Sequence, residues 1–176
     1  MQKLYSGFQR GFGLIEALTS LAVGVIVLTA AAPSLHDVVA RRHLEGVADR
    51  LAADLHFVRT EALARNASVR ITFHADASGS CYLIHTGSSA SCNCMAGTPA
   101  CRDGAVLLRS VDVPTEHVQV RANVESIVFD PLHGTASPGG TLRVNGASGA
   151  AVHHVVNVLG RVRSCSTAGL GGHPAC

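Results

Sequence analysis

The six cysteines suggest chemistry most directly, because a thiolate can ligate a metal and a thiol pair can form a disulfide. They are Cys81, Cys92, Cys94, Cys101, Cys165 and Cys176. The C-x-C-x6-C spacing in the middle of this set lacks the paired C-x2-C halves of a zinc ribbon. So many cysteines in a short chain indicate an oxidising compartment and hence disulfides. Since a C-x-C pair would close a strained ring, each of these two should bridge outward, to Cys81 or Cys101 in either order. Cys165 and Cys176 would close the C-terminal tail.

No catalytic or cofactor motif accompanies the cysteines. His153 and His154 could ligate a metal, but neighbouring residues on a strand point to opposite faces. Neither has an Asp, Glu or Cys at a useful ligand spacing. The sequence contains no G-x-S-x-G nucleophile elbow and no phosphate-cradling G-x-x-x-x-G-K-[ST] loop. We therefore expect neither an enzyme nor a bound metal or cofactor.

The C-terminal quarter of the chain is rich in cationic and titratable residues. From Pro131 to Cys176 there is no Asp or Glu. The residues in question are Arg143, Arg161, Arg163, His133, His153, His154 and His173. If 161–163 is extended, alternation places Arg161 and Arg163 on one face, with Val162 on the other. A local positive patch suits a polyanion, but charge alone is explained equally well by a solvated surface.

The N-terminal segment combines an apolar run with one carboxylate. Residues 1–11 are short and positive, as in a secretory signal peptide. The apolar run from Phe12 to Ala32 is too long for the apolar region of a signal peptide. Its length of about 20 residues is that of a membrane-spanning segment. Glu16 is its only ionisable residue. Because an unpaired charge in a membrane costs about 2.5–3.5 kcal/mol, Glu16 should have a partner of opposite sign.

The rest of the chain predicts a long helix followed by strands. Apolar residues recur at helical spacing at Leu44, Val47, Leu51, Leu55, Val58 and Ala62, while charged residues, Asp54 among them, occupy the other positions. One helix over 12–66 is expected, its second half packed on a sheet. About seven short strands follow, at 69–73, 81–85, 105–111, 117–121, 126–130, 141–144 and 151–159, with a disulfide-stapled loop at 87–104. The predicted fold class is α+β, a long helix on an antiparallel β domain.

The segment Gly11-Phe12-Gly13-Leu14-Ile15-Glu16 resembles the processing site of type IV prepilins and type II secretion pseudopilins. The resemblance implies that a prepilin peptidase cuts after Gly11 and methylates the new N-terminal Phe12. It also implies that Glu16 docks on the terminal amine of a neighbouring subunit. The implied partners are major and minor pilins and an inner-membrane assembly platform. The implied regions are a leader at 1–11, a transmembrane or filament-core helix half at 12–33, an amphipathic half at 34–66, and a globular β domain at 67–176.

The C-terminal Gly160-Arg161-Val162-Arg163 resembles the ending of the GspH/FimT branch of this family. Such tails are associated with binding incoming DNA in natural transformation. The resemblance therefore implies a minor pilin that binds DNA through Arg161 and Arg163, with Arg143 and Gly160 in the same site. The alternative is a type II secretion pseudopilin with a purely structural role. The implied location is the inner membrane, crossed once, before assembly, and the periplasm and extracellular pilus afterwards. Protonation of nearby histidines should strengthen DNA binding below pH ~6.5; these are His153, His154 and His173.

Overall fold

The structure is a computed structural model that describes residues 13–76, 79–94, 98–114, 118–167, 169–170 and 172–176, without the side chains of residues 30–34. The predicted leader and the processing residues Gly11 and Phe12 lie outside the described residues. The chain divides into two compact units, Met1–Val38 and Val39–Cys176.

A single helix, α1, runs from Leu14 to Arg65 over 52 residues, close to the predicted 12–66. Its first turn carries Glu16, whose negative charge is favourable beside a helix N-terminus. The helix ends where Asn66 adopts a left-handed φ of 49°. Two backbone N–H groups beyond the helix then donate to carbonyls of its last turn, each at 3.3 Å. This is a Schellman motif, and asparagine suits it because its short side chain tolerates that backbone region.

The first unit contains the N-terminal part of α1. Apolar side chains of this part are exposed in the single chain, among them Leu14, Leu21 and Leu28 at 79%, 68% and 71%. The sequence predicts a membrane-spanning segment at 12–33, whereas no helix in the described part of the chain is both long and apolar enough to cross a membrane.

The strands of the second unit form antiparallel sheets. In the described residues they are β1 (Val69–Ala75), β2 (Gly79–His85), β3 (Cys92–Asn93), β4 (Ala100–Cys101), β5 (Leu107–Pro114), β6 (Val118–Ala122), β7 (Ser126–Phe129), β8 (Ala136–Ser137), β9 (Gly140–Gly146), β10 (Ala151–Val156) and β11 (Val162–Ser166), with a 3-10 turn at Ser89–Ser91. A five-stranded sheet has the order β5-β2-β1-β7-β8, and a four-stranded sheet has the order β11-β10-β9-β6. Strands β3 and β4 form a small separate pair.

The antiparallel α+β prediction is confirmed, with differences in detail. The sequence predicts about seven strands, and the structure adds β11 and three strands of two residues, β3, β4 and β8. The predicted strand at 151–159 stops at Val156, because the turn that leads into β11 begins there. A period-two pattern shows which residues of a strand face inward, but it does not show which strands pair. The division into two larger sheets therefore could not be predicted from the sequence.

The predicted apolar face of α1 is the centre of the core. Five of its six predicted residues are 1% exposed or less, namely Leu44, Leu51, Leu55, Val58 and Ala62, whereas Val47 is only partly buried and its neighbour Ala48 is fully buried. The buried residues form one hydrophobic cluster with inward-facing residues of both larger sheets, such as Ile71 on β1 and Leu142 on β9. The helix therefore packs on sheet residues, as its periodicity predicts.

Asp54 is a correction to the predicted polar face of α1. The residue is fully buried. Its Oδ2 accepts a hydrogen bond from the Tyr82 hydroxyl on β2 at 2.7 Å, and its Oδ1 pairs with the Arg109 guanidinium on β5. That guanidinium also lies 4.4 Å from the ring centroid of Phe57. The carboxylate can be buried because these donors replace water.

Three disulfides staple the second unit. They join Cys81 to Cys94, Cys92 to Cys101 and Cys165 to Cys176. The bridges run outward from the C-x-C pair, as predicted, and the structure supplies the order that the sequence leaves open. The joined residues are 13, 9 and 11 positions apart. Closing loops of this size contributes on the order of 2–3 kcal/mol each in the chain-entropy description.

Candidate nucleic-acid interface

A row of basic and polar residues crosses the outer face of the four-stranded sheet. Arg143 on β9 lies opposite Arg121 on β6 and, on its other side, opposite His153 on β10. His153 in turn lies opposite Cys165 on β11. Directly opposed residues of antiparallel strands share a face of the sheet. These four residues therefore form one row across all four strands.

This face is exposed because the alternate residues point into the core. On β9, Leu142 and Val144 are fully buried, while Arg143 between them is exposed. On β10, His154 is fully buried, while His153 is partly exposed. Successive side chains of a strand point to opposite faces, so burial of one set leaves the other set in solvent.

Arg163 and Arg161 extend the same face along the hairpin between β10 and β11. Arg163 pairs with Val155. The register continues at Asn157, whose backbone N–H donates to the Arg161 carbonyl at 3.1 Å and whose Oδ1 accepts from the Arg161 N–H at 2.9 Å. Both arginines are exposed, whereas Val162 packs against the core. The alternation that the sequence predicts is the arrangement seen in the structure.

Gly160 is buried and shapes this hairpin. It is the last of three turn residues between Asn157 and Arg161, and its φ of +70° is left-handed, as three-residue hairpin loops require. A β-carbon on Gly160 would lie 2.1 Å from the carbonyl oxygen of Gly134. The sequence groups Gly160 with the DNA-contacting residues. The burial and left-handed φ of Gly160 indicate that it shapes the hairpin, and its contact with DNA stays a prediction.

Only one of the three histidines expected to strengthen DNA binding lies on the outer face, namely His153. His154 points inward, and its Nδ1 lies 2.8 Å from Ser164 Oγ. Burial, with His173 nearby, lowers the pKa of His154 to about 4. The Nε2 of His173 lies 3.6 Å from a carboxylate oxygen of Asp49 on α1. The pH expectation is therefore wrong for His154, which stays neutral near pH 6. For His173, which lies beside Asp49, it stays a prediction.

One group of side chains on this face has the atoms of a metal site. Ligand-capable atoms of His153, Cys165 and Cys176 lie within 4.8 Å of one another. Both sulfurs are joined in a disulfide. A metal binds the thiolate form of cysteine, so this group is not a metal centre while the bridge is intact.

Arg121 belongs to the basic row, although sequence reasoning does not select it. The sequence points to the acid-free segment after Pro131, and Arg121 precedes that segment. Burial of Val118 and Val120 on β6 leaves Arg121 facing outward. This alternation is readable in the predicted strand 117–121. Its position opposite Arg143 is not readable, because β6 and β9 are distant in the chain.

Glu16, the predicted docking residue, lies in the first turn of α1 and is exposed. Its backbone carbonyl accepts hydrogen bonds from the hydroxyls of Thr19 and Ser20, at 3.1 and 2.7 Å. The structure thus leaves the carboxylate at the surface of the single chain, where a second subunit can approach it.

Comparison with known protein families matches residues 47–160 to the family described as "Type II transport protein GspH". The chain belongs to the GspH family. The prokaryotic N-terminal methylation motif also matches, at residues 7–32. Together they indicate a minor-pilin or pseudopilin subunit, processed at its N-terminus and assembled with other pilins at the membrane or in a pilus. The GspH match ends at Gly160, so Arg161 and Arg163 lie beyond it.

Solved structures show the same fold for this GspH-family chain. Two crystal forms of the type IV minor pilin FimU from Pseudomonas aeruginosa (strain PAO1) match, each at 20% identity. The form in space group P21 has a TM-score of 0.53 and covers 70% of this chain and 88% of FimU. The form in P65 has a TM-score of 0.50 and covers 68% and 90%. Comparison with curated protein sequences gives no match.

Proposed function

We propose that this GspH-family chain is a minor type IV pilin that contributes to pilus assembly and binds extracellular DNA for uptake in natural transformation. The observation that carries the DNA proposal is the placement of Arg143, Arg161 and Arg163, all exposed on one side of one sheet. The described outer positions of β9, β10 and β11 include no Asp or Glu. A polyanion can therefore approach this face without meeting a like charge.

Arginine suits the backbone of DNA because its planar fork can donate to two phosphate oxygens at once. Phosphate contacts position a protein on DNA without reading its sequence. The described outer positions of β9, β10 and β11 carry no Phe, Tyr or Trp ring on which a base could stack, and the one imidazole among them is that of His153. Binding is therefore expected to be weak, indifferent to sequence and steeply dependent on salt.

The double variant Arg161→Ala/Arg163→Ala is expected to bind a mixed-sequence duplex roughly tenfold more weakly, because two phosphate contacts are lost. The slope of log affinity against log salt should shrink by about 1.8, since each contact contributes about 0.9. Fluorescence titrations of the full chain in non-ionic detergent, over a series of salt concentrations, give both quantities.

The matched control removes the same charge elsewhere. Arg42 on α1 and Arg102 in the loop after β4 are both exposed and lie off the outer face. Arg42→Ala/Arg102→Ala should bind DNA as the unaltered chain does. If the Arg161→Ala/Arg163→Ala protein matches this control in affinity and slope, the proposed site is wrong.

The assembly part of the proposal gives each N-terminal residue a role. A prepilin peptidase cuts after Gly11, Phe12 becomes the methylated N-terminus, and Glu16 docks on the terminal amine of a neighbouring subunit. The methylation-motif match and the exposure of Glu16 support these roles. A carboxylate that an assembly buries needs a positive partner, which that amine supplies. The subunit resides at the inner membrane, meets the assembly platform there, and then passes through the periplasm into an extracellular pilus with other pilins.

Glu16→Ala is expected to be cut after Gly11 like the unaltered protein but to be missing from filaments, because only the docking pair is lost. Mass spectrometry of the membrane fraction should give a mature protein that begins at Phe12. Immunoblotting of sheared filaments then measures incorporation. Thr19→Ala, about one turn further along the helix, is the control and should be incorporated normally. Normal incorporation of Glu16→Ala would contradict the docking role.

A purely structural type II secretion pseudopilin is the second candidate. The matched family is described as a type II transport protein, which is compatible with this role, and the family match stops before Arg161 and Arg163. The two candidates differ in the titration described above. A subunit with only a structural role should show no salt-dependent affinity for duplex DNA.

A further inference from the structure

A cavity of about 480 Å³ opens on the outer face of the four-stranded sheet, at the β6 edge. The side chains that matter in its lining are Arg121, Arg143, Gln119, Thr141 and Asn145. Two of them carry a positive charge, and the other three can donate hydrogen bonds. This is the chemistry of an anion site rather than of an apolar ligand.

The two arginines lie directly opposite each other on neighbouring strands, which is unfavourable for folding. Arg121 and Arg143 are cross-strand partners, and like charges in that position repel. Among the described residues no ion pair joins either guanidinium to a carboxylate. Within the described residues, Arg121 donates to Gln119 Oε1, at 2.8 Å. An anion bound between the two guanidiniums would turn this repulsion into attraction.

We propose that Arg121 and Arg143 form a second phosphate-binding subsite, so that one DNA backbone is held at two places on the sheet. This inference rests on the proposed DNA-binding function. It adds Arg121 to the site. It also assigns Arg143 to a subsite shared with Arg121, separate from Arg161 and Arg163. The ligand group is a phosphodiester, the charged unit that DNA presents at regular intervals.

The register sets the separation of the two subsites. Strands lie about 4.8 Å apart, so Arg121 on β6 and Arg163 on β11 are about 14 Å apart across the sheet. Arg163 also lies two residues from Cys165, the β11 member of the row, which adds about 7 Å along the strand. The combined separation is about 16 Å. A duplex carries one charge per about 1.7 Å of its axis, so several phosphates of one molecule lie within this span.

The chemistry of the face favours duplex over single-stranded DNA. Single-strand binders add stacking on aromatic rings to their phosphate contacts. The described outer positions of the four strands carry no Phe, Tyr or Trp ring, and the one imidazole among them is that of His153. Contact with the backbone alone favours the form of DNA with the higher charge density, which is the duplex.

The test compares Arg121→Gln/Arg143→Gln with the Arg42→Ala/Arg102→Ala control, using the full chain in non-ionic detergent and a mixed-sequence duplex. The subsite variant should bind roughly five- to twentyfold more weakly at low salt, and its log–log salt slope should shrink by about 1.8. Arg121→Lys/Arg143→Lys retains the charges and should keep most of the affinity. The unaltered chain should bind the duplex more tightly than one of its separated strands.

Thermal unfolding provides a second readout that does not depend on DNA. Because the glutamine variant removes two opposed like charges, its unfolding midpoint should equal or exceed that of the unaltered chain. A glutamine variant with the control's affinity and slope overturns the second subsite. If Arg161→Ala/Arg163→Ala still weakens binding in that case, the proposed function survives alone. If the unaltered chain binds no duplex, both proposals are wrong.

Discussion

Gly160→Ala is expected to lower the free energy of unfolding by about 2–5 kcal/mol. The φ of Gly160 is +70°, and a left-handed backbone costs a residue with a β-carbon about 1–2 kcal/mol. The new methyl group would also lie 2.1 Å from the carbonyl oxygen of Gly134. No rotation of a side chain relieves a clash with backbone, so the two segments must separate. Overpacking of this kind adds about 1–3 kcal/mol or more.

Three segments meet at Gly160 and leave no room for that movement. From α1, Arg59 Nε lies 3.4 Å from the position of the added β-carbon. The same atom lies 2.8 Å from the corresponding position on Gly134, whose φ is also left-handed, at +61°. The hairpin is held against β8 by a hydrogen bond from the Ala136 N–H to the Val158 carbonyl at 3.0 Å. Relief of the clash therefore has to break contacts to the hairpin that presents Arg161 and Arg163.

Gly149→Ala separates the two causes, because Gly149 has the strain without the clash. Its φ is +81°, and nothing lies within 4 Å of the position of its β-carbon. Gly149→Ala should therefore lower the free energy of unfolding by only about 1–2 kcal/mol. Denaturant unfolding of both variants, followed by circular dichroism, measures the difference. Equal losses would show that Gly160 and Gly134 do not approach each other as closely as the structure has them.

The sequence predicts those features that depend on local periodicity. The apolar repeat from Leu44 to Ala62 gives the buried face of α1, and Asn66 ends the helix where the repeat ends. Alternation through 161–163 gives the exposure of both arginines, because strand geometry fixes it without knowledge of the neighbours. Cysteine spacing gives the outward direction of the bridges at Cys92 and Cys94 but not their order.

Local periodicity in the sequence does not predict features that depend on which strands become neighbours. The Arg121–Arg143 pair arises because β6 is the partner of β9, and about twenty residues and two short strands of the other sheet separate them along the chain. His154 and His173 lie away from the outer face for different reasons. Alternation along β10 turns His154 inward, whereas the contact of His173 with Asp49 on α1 depends on the tertiary fold. Asp54 is an intermediate case. Its spacing from Leu51 and Val58 places it on the buried face. A carboxylate can be buried there only because residues of β2 and β5 donate hydrogen bonds to it.

Asp54→Ala is expected to lower the free energy of unfolding by about 1–3 kcal/mol, because it leaves the buried Tyr82 hydroxyl without an acceptor. Two groups lose their acceptor. The Tyr82 hydroxyl is in a residue only 1% exposed, and the Arg109 guanidinium is held over Phe57. In the intact protein, burial and the hydrogen bond to Asp54 raise the pKa of Tyr82 far above its usual value. The hydroxyl therefore keeps its proton at neutral pH and well above it, and it needs an acceptor there.

Asp49→Ala is the control for loss of a carboxylate from the same helix. Its side chain is 71% exposed and lies 3.6 Å from His173 Nε2. A pair with one solvent-exposed member contributes at most about 1 kcal/mol. Denaturant unfolding should therefore give the larger loss for Asp54→Ala, which leaves a buried hydroxyl without an acceptor. A loss for Asp54→Ala no larger than that for Asp49→Ala would contradict the buried network.

A double-mutant cycle isolates the contact between Asp54 and Tyr82. Tyr82→Phe removes the hydroxyl, so the double variant Asp54→Ala/Tyr82→Phe no longer leaves a buried donor without an acceptor. The double variant should therefore lose about 1–3 kcal/mol less than the sum of the single variants. Additive losses would mean that the carboxylate and the hydroxyl do not interact. The polar link between Asp54 of α1 and the five-stranded sheet would then rest on its ion pair with Arg109 on β5.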